Sequence, residues 1–178
     1  MEKKSRPMTE KRLMNIALHY LERFESSGGH LRQILKNRVF KEKTKGTDIA
    51  HDVENVISAI VEKVQKLGYV DDDRFAKNLV ERLKSSGKSM RFIKQKLAQA
   101  SIDPETISKT LEAYEEQNQE SEYAAACRFA RKKRLGIYRD PEKQALFRKK
   151  DLASMARAGF SFEVAVKALK HNSDEELQ

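Results

Sequence analysis

The sequence predicts an all-α fold: three tandem three-helix repeats forming an elongated, curved body. Three features of the 178-residue chain carry this reading. Apolar residues recur at three- and four-residue spacing through most of its length. No stretch shows the sustained apolar–polar alternation of a half-buried strand. Separate segments of the chain also resemble one another, as expected of a repeat architecture.

The elements follow in order. Leu13, Ile16, Ala17, Tyr20, Leu21 and Phe24 form one helical stripe. After the break Ser26-Ser27-Gly28-Gly29, Leu31 and Leu35 lie four apart on a second helix. The stretch from Lys41 to Asp52 is polar, contains Gly46, and reads as a loop. Val53, Val56, Ile57, Ile60, Val61, Val64 and Leu67 form the next stripe. Its β-branched content alone would suggest a strand, but the spacing is that of a helix over four turns, and spacing decides. Phe75, Leu79 and Leu83, with Ala76 and Val80 beside them, predict a further helix. Shorter stripes are Met90, Ile93, Leu97 and Ala100, then Ile107, Leu111 and Tyr114, then Tyr123, Ala126, Cys127 and Ala130. Asp103-Pro104-Glu105 is a helix start in which Asp caps, Pro takes the first helical position and Glu meets the positive end of the dipole. Ser161-Phe162-Glu163 is a similar start.

The repeat emerges by superposing segments. Glu22-Arg23-Phe24-Glu25-Ser26-Ser27-Gly28 resembles Glu81-Arg82-Leu83-Lys84-Ser85-Ser86-Gly87, and each precedes an apolar pair four apart, Leu31 with Leu35 and Ile93 with Leu97. Ile102-Asp103-Pro104-Glu105, reaching Leu111, matches Phe160-Ser161-Phe162-Glu163, reaching Leu169. The expected units are 10–70, 71–118 and 119–171, with flexible termini at 1–9 and 172–178. Each is too small to bury its own core well, so neighbours have to pack.

The formal net charge is +9 and the pI about 9.6, a balance that favours polyanionic partners through counterion release. Cys127 is the single cysteine, which rules out an intrachain disulfide; among Ala124, Ala125, Ala126 and Phe129 it reads as a small buried apolar residue. No apolar run approaches the roughly 20 residues of a membrane span, and the polar N-terminus lacks a signal peptide's apolar centre. A cytoplasmic monomer is expected.

No catalytic, cofactor or metal constellation stands out. A calcium loop starting at Asp71-Asp72-Asp73 would need Gly and Glu where Ala76 and Arg82 stand, so these carboxylates read as a helix cap and first turn. Ser85-Ser86-Gly87-Lys88-Ser89 ends like a P-loop, but Arg82 occupies the earlier Gly position and a helix precedes it. It reads as a helix–helix turn with Ser89 as N-cap, and Lys88, Arg91, Lys94 and Lys96 crowd it in a way that suits phosphate contact. His19, His30, His51 and His171 have no metal-ligand spacing. The most informative polar feature runs from Arg128 to Lys150, with ten Lys or Arg and two acids, Asp140 and Glu142. Arg128, Arg131 and Lys132 share a helix face, and Lys133, Arg134, Arg139, Lys143, Arg148, Lys149 and Lys150 extend it. With so few acids available for i to i+4 pairing, the expectation is polyanion contact rather than a solvated, salt-bridged face. The nucleic-acid-binding or filament-binding residues are therefore expected to be Lys88, Arg91, Lys94, Arg128, Arg131, Lys132, Lys133, Arg134, Arg148, Lys149 and Lys150.

Three stretches resemble the RecX family. Gly68-Tyr69-Val70-Asp71-Asp72-Asp73-Arg74-Phe75-Ala76 looks like its signature between first and second units. Ile93-Lys94-Gln95-Lys96-Leu97 followed by Ile102-Asp103-Pro104-Glu105 is similar to its central repeat, and Gly159-Phe160-Ser161-Phe162-Glu163-Val164 to its C-terminal Gly-Phe-Ser element. The resemblance implies a non-enzymatic modulator, without cofactor, that binds RecA filaments on single-stranded or duplex DNA and inhibits recombinase and ATPase activity. The rival reading is a free-standing DNA-binding helical protein that acts independently of RecA, and a third is a helical-repeat scaffold for acidic proteins.

Overall fold

The computed structural model describes residues 7–49, 51–118 and 120–170. Among these residues the fold is all-α. Helices α1 (Glu10–Leu21), α2 (Gly28–Lys43), α3 (Val53–Lys66), α4 (Asp72–Ser85), α5 (Met90–Gln99), α6 (Pro104–Gln117), α7 (Glu122–Lys133), α8 (Pro141–Ala158) and α9 (Phe162–Lys170) follow in order, with a 3-10 turn at Gly136–Tyr138. The extended pairing among the described residues is an isolated bridge between Met8 and Ile49. The chain divides into two compact units, 1–76 with 98–106, and 77–97 with 107–178.

In the first unit, α1 and α2 both pack on α3. Leu13, Ala17, Leu31, Leu35, Ile57, Ile60, Val61 and Val64 form its centre, and each Leu or Ile removed from water contributes roughly 1.5–3 kcal/mol. The β-branched α3 is a helix because Ile57, Ile60, Val61 and Val64 meet that core from one side at helical spacing. Local chemistry starts the helices. Thr9 accepts the Arg12 N–H at 3.3 Å, Ser27 accepts the His30 N–H at 3.0 Å, and Asp71 accepts the Arg74 N–H at 2.9 Å. Asp103 accepts the Thr106 N–H at 2.9 Å; that bond holds its carboxyl below the ordinary value.

Three expectations change here. The segment read as a loop from Lys41 is helical through Lys43, because Val39 and Glu42 continue the buried face begun by Leu31 and Leu35. Leu67 and Phe24, placed in apolar stripes, are 60% and 56% exposed, since each lies just past the end of its helix. Residues 7–9 of the expected free N-terminus are tied down: Met8 is buried and its N–H donates to the Asp48 carbonyl at 3.1 Å. The C-terminal stretch 172–178 lies outside the described residues.

In the second unit, α9 packs against α7 and α8. Ala125, Ala126, Ala130, Ala158, Ala165 and Ala168 leave room for the larger Phe129, Met155, Phe160 and Leu169. Phe129 and Phe160 rings meet at 5.8 Å. Cys127, expected to be buried, is half-buried at the edge of this core, because α7 turns Ala126 and Ala130 inward instead. Ser161 starts α9 by accepting the Val164 N–H at 3.3 Å.

Candidate nucleic-acid interface

Every residue of the expected binding set falls in the second unit. Its first group is built on the turn between α4 and α5. Gly87 has φ +80°, and a Cβ there would stand 2.9 Å from Phe129 Cδ2, so glycine lets the turn close against α7. Lys132 Nζ donates to the Ser85 carbonyl at 3.0 Å. Lys88 Nζ lies 4.8 Å from the centre of the Phe92 ring and 6.0 Å from that of Phe129. Lys88 and Lys132, distant in sequence, are thereby brought to one turn. The turn's hydroxyls are committed: Ser86 donates to the Leu83 carbonyl at 2.9 Å, and Ser89 caps α5 by accepting the Phe92 N–H at 3.2 Å.

The second group closes α7. Arg131, Lys132, Lys133 and Arg134 are all exposed. Cations in a last turn face the negative end of the helix dipole, which stabilises each by about 0.3–1 kcal/mol and accounts for part of their placement. Arg134 ends the helix in a left-handed conformation, φ +52°. The Arg131 guanidinium sits 5.5 Å from the centre of the Tyr138 ring, a cation–π contact that orients it.

The third group lies on α8, where Arg148, Lys149 and Lys150 are exposed. It is organised around a different ring: Phe147 has Lys150 Nζ at 5.1 Å and Arg139 Cζ at 4.5 Å. Arg148 borders a cavity of about 310 Å³ with Ile137, Leu152 and Leu169. Arg91 and Lys94 lie exposed on α5 beyond the turn.

The basic run is less free than its composition implies. Arg128 Nη2 is 2.9 Å from Glu120, which also lies 3.6 Å from buried Lys84. Arg139 is held by Asp151 at 2.7 Å, a hydrogen bond that raises the Arg139 pKa further. Lys143 is 3.7 Å from Asp140. Both strong partners, Glu120 and Asp151, lie outside the stretch from Arg128 to Lys150, so pairing is achieved by folding rather than by i to i+4 spacing. Sequence reasoning also missed Tyr138 and Phe147 as supports for these cations. Each adjoins an arginine in the sequence, Tyr138 beside Arg139 and Phe147 beside Arg148, but the cations they hold are others, Arg131 on Tyr138 and Arg139 with Lys150 on Phe147. Among the described residues no three of His, Cys, Asp or Glu are placed to hold a metal ion, and no helix is long and apolar enough to cross a membrane.

A family model described as RecX, second three-helix domain, matches residues 71–111, which span α4, α5 and the first half of α6. The chain is 35% identical over 176 residues to the regulatory protein RecX of Myxococcus xanthus, covering 96% of this chain and 90% of that one. It is 33% identical over 106 residues to the regulatory protein RecX of Agrobacterium fabrum, covering 60% and 54%. The crystal structure of RecX from Lactobacillus salivarius superposes with a TM-score of 0.58 at 20% identity, over 90% of this chain and 94% of that one. A second RecX crystal structure gives 0.57 at 19% identity, over 89% and 70%. The structures share the fold; the M. xanthus relative, matched over nearly its whole length, shows that this chain belongs to the RecX family of regulatory proteins.

Proposed function

We propose that this protein binds RecA–DNA filaments and inhibits RecA recombinase and ATPase activity, acting in the cytoplasm as a monomer and without catalysis of its own. The observation that carries the reading is the RecX relationship over 96% of the chain. The candidate cations of the second unit, exposed apart from the half-buried Lys88, support the DNA side of it. Lys88 and Lys132 at the α4–α5 turn, with Arg131, Lys133 and Arg134 at the end of α7, offer phosphate contacts. Arg148, Lys149 and Lys150 on α8 and Arg91 and Lys94 on α5 add to these; Arg128 contributes less because Glu120 already pairs with it. Inhibition needs only differential affinity between filament states, since a ligand shifts an equilibrium by its preference for one of them.

The test is RecA ATPase on single-stranded DNA, titrated with this protein at fixed salt beside a filament-binding assay. The expected outcome is saturable inhibition at filament occupancy, with no ATP hydrolysis by the protein alone. Equal binding to naked DNA with unchanged RecA activity at full occupancy replaces this reading with the free-standing DNA binder. Inhibition that excess DNA abolishes indicates simple competition for DNA.

A further inference from the structure

Helix α1 carries more apolar surface than the core of its unit uses. Leu13 and Ala17 are fully buried. Ile16 and Tyr20 are half-buried: each packs partly against that core and, with Phe24 beyond the helix end and Ile34 from α2, lines an open groove of about 650 Å³. Tyr20 and Phe24 rings lie 5.2 Å apart and hold each other in place, yet Phe24 remains 56% exposed. Around this floor stand four cations, Arg12, Arg23, Arg38 and Lys41, and among the described residues no carboxylate lines the groove. Arg12 and Arg38 share the buried Glu42 at 3.1 and 3.4 Å. Among the described residues Arg23 and Lys41 form no ion pair, and both are exposed. The groove is therefore apolar at its base and strongly positive at its rim.

We propose that the groove between α1 and α2 docks an acidic, amphipathic segment of a partner protein. Its floor asks for apolar side chains, because the aliphatic Ile16 and Ile34 offer no hydrogen bond. Its rim asks for carboxylates. A helix with apolar residues at i, i+3 or i+4, and i+7 and acids between them satisfies both at once. A nucleic-acid strand could meet the rim and stack on Tyr20 and Phe24, but it would leave the aliphatic Ile16 and Ile34 without a partner. The cations proposed to contact DNA all belong to the other unit. Only the filament measurement below rests on the RecA reading.

The experiment uses the full chain and a panel of fluorescent synthetic peptides, each about four helical turns long, with Leu or Phe at the two apolar spacings and Glu or Asp elsewhere. Each peptide has a counterpart with Ser at the apolar positions, and short oligothymidine serves as the nucleic-acid probe. At least one acidic amphipathic peptide is expected to bind saturably, roughly tenfold more tightly than its Ser counterpart. Phe24→Ser and the double variant Arg23→Glu with Lys41→Glu, all at exposed positions and checked for helicity, are each expected to weaken that binding by roughly tenfold. The proposal is overturned if no peptide outbinds its Ser counterpart, or if the variants leave binding unchanged. It is also overturned if oligothymidine binding is what the double variant loses, or if sedimentation shows a dimer that Phe24→Ser dissolves. A parallel assay measures RecA–DNA filament binding by the wild type and Phe24→Ser. Absence of filament binding by the wild type removes the RecA reading, while the peptide comparison still decides the groove.

Discussion

Arg139 grips Asp151 through one edge of its guanidinium, Nη2 to Oδ1 at 2.7 Å and Nε to Oδ2 at 3.2 Å, and the same Oδ2 accepts the Gly136 N–H at 2.9 Å. Asp151 is 1% exposed. One member of the basic run is thus a structural tie: it neutralises a buried carboxylate that also pins the 3-10 turn between α7 and α8.

Removing the carboxylate leaves Arg139 and the Gly136 N–H without their partner. Asp151→Ala is expected to destabilise the protein by about 3 kcal/mol. Asp151→Asn, which retains an acceptor for the N–H, is expected to cost less. Urea unfolding followed by circular dichroism checks both. An unchanged midpoint for Asp151→Ala removes this pair from the structural account.

Gly159 ends α8 at φ +96°, and a Cβ there would collide with Ser89 Oγ and stand 2.6 Å from Phe92 Cβ. The two sides are joined by the Ser89 N–H, which donates to the Ala158 carbonyl at 3.0 Å. Gly159→Ala is expected to lose about 2 kcal/mol, from backbone strain and displaced packing together. Thermal melting of the variant measures the loss; a wild-type melt shows that the α8–α9 corner yields freely.

Glu42 predicts an acid dependence. Burial pulls its carboxyl upward, but the Arg12 hydrogen bond and the charges of Lys45, Arg12 and Arg38 outweigh that effect and hold it below 4.5. The folded state therefore binds this proton less tightly than the unfolded chain. Its stabilisation is complete above the unfolded value and lost as pH falls through the lower folded one. Glu42→Gln is expected to lower the unfolding midpoint at neutral pH and to flatten its fall between about pH 5 and 3. A parallel displacement of the whole pH profile would show that the charge is not what matters.

The end of α7 is expected to govern salt dependence. Replacing Arg131, Lys132, Lys133 and Arg134 together by Gln is expected to weaken nucleic-acid binding and to reduce the salt slope by about one unit for every phosphate no longer neutralised. Arg128→Gln is expected to change the slope far less, because Glu120 already pairs with it. A folded quadruple variant with the wild-type slope would make the α7 terminus a solvated helix end.

The two segments that resemble each other in the sequence are used differently in the fold. Leu31 with Leu35, and Ile93 with Leu97, are all fully buried. Yet Ser27 caps α2 from within Ser26-Ser27-Gly28, whereas after Ser85-Ser86-Gly87 the cap falls to Ser89, two residues later. Gly28 lies inside its helix; Gly87, at φ +80°, makes the turn. Similar letters acquire different roles because Gly87 must close against Phe129.

The sequence by itself determined the all-α class, the stripes and most helix starts. Periodicity and capping at Asp71, Asp103 and Ser161 act over three or four residues, so they are written locally. It also determined the sign and position of the charge. Only the tertiary structure decided which cations remain free, how far α2 extends and how deeply Cys127 sits. Arg139 is committed by Asp151 twelve residues away and Glu42 by Arg12 thirty residues away, while Lys132 is drawn to the α4–α5 turn by the Ser85 carbonyl 47 residues away with its charge still unpaired among the described residues. Such contacts depend on how helices meet, and no spacing along one helix encodes them.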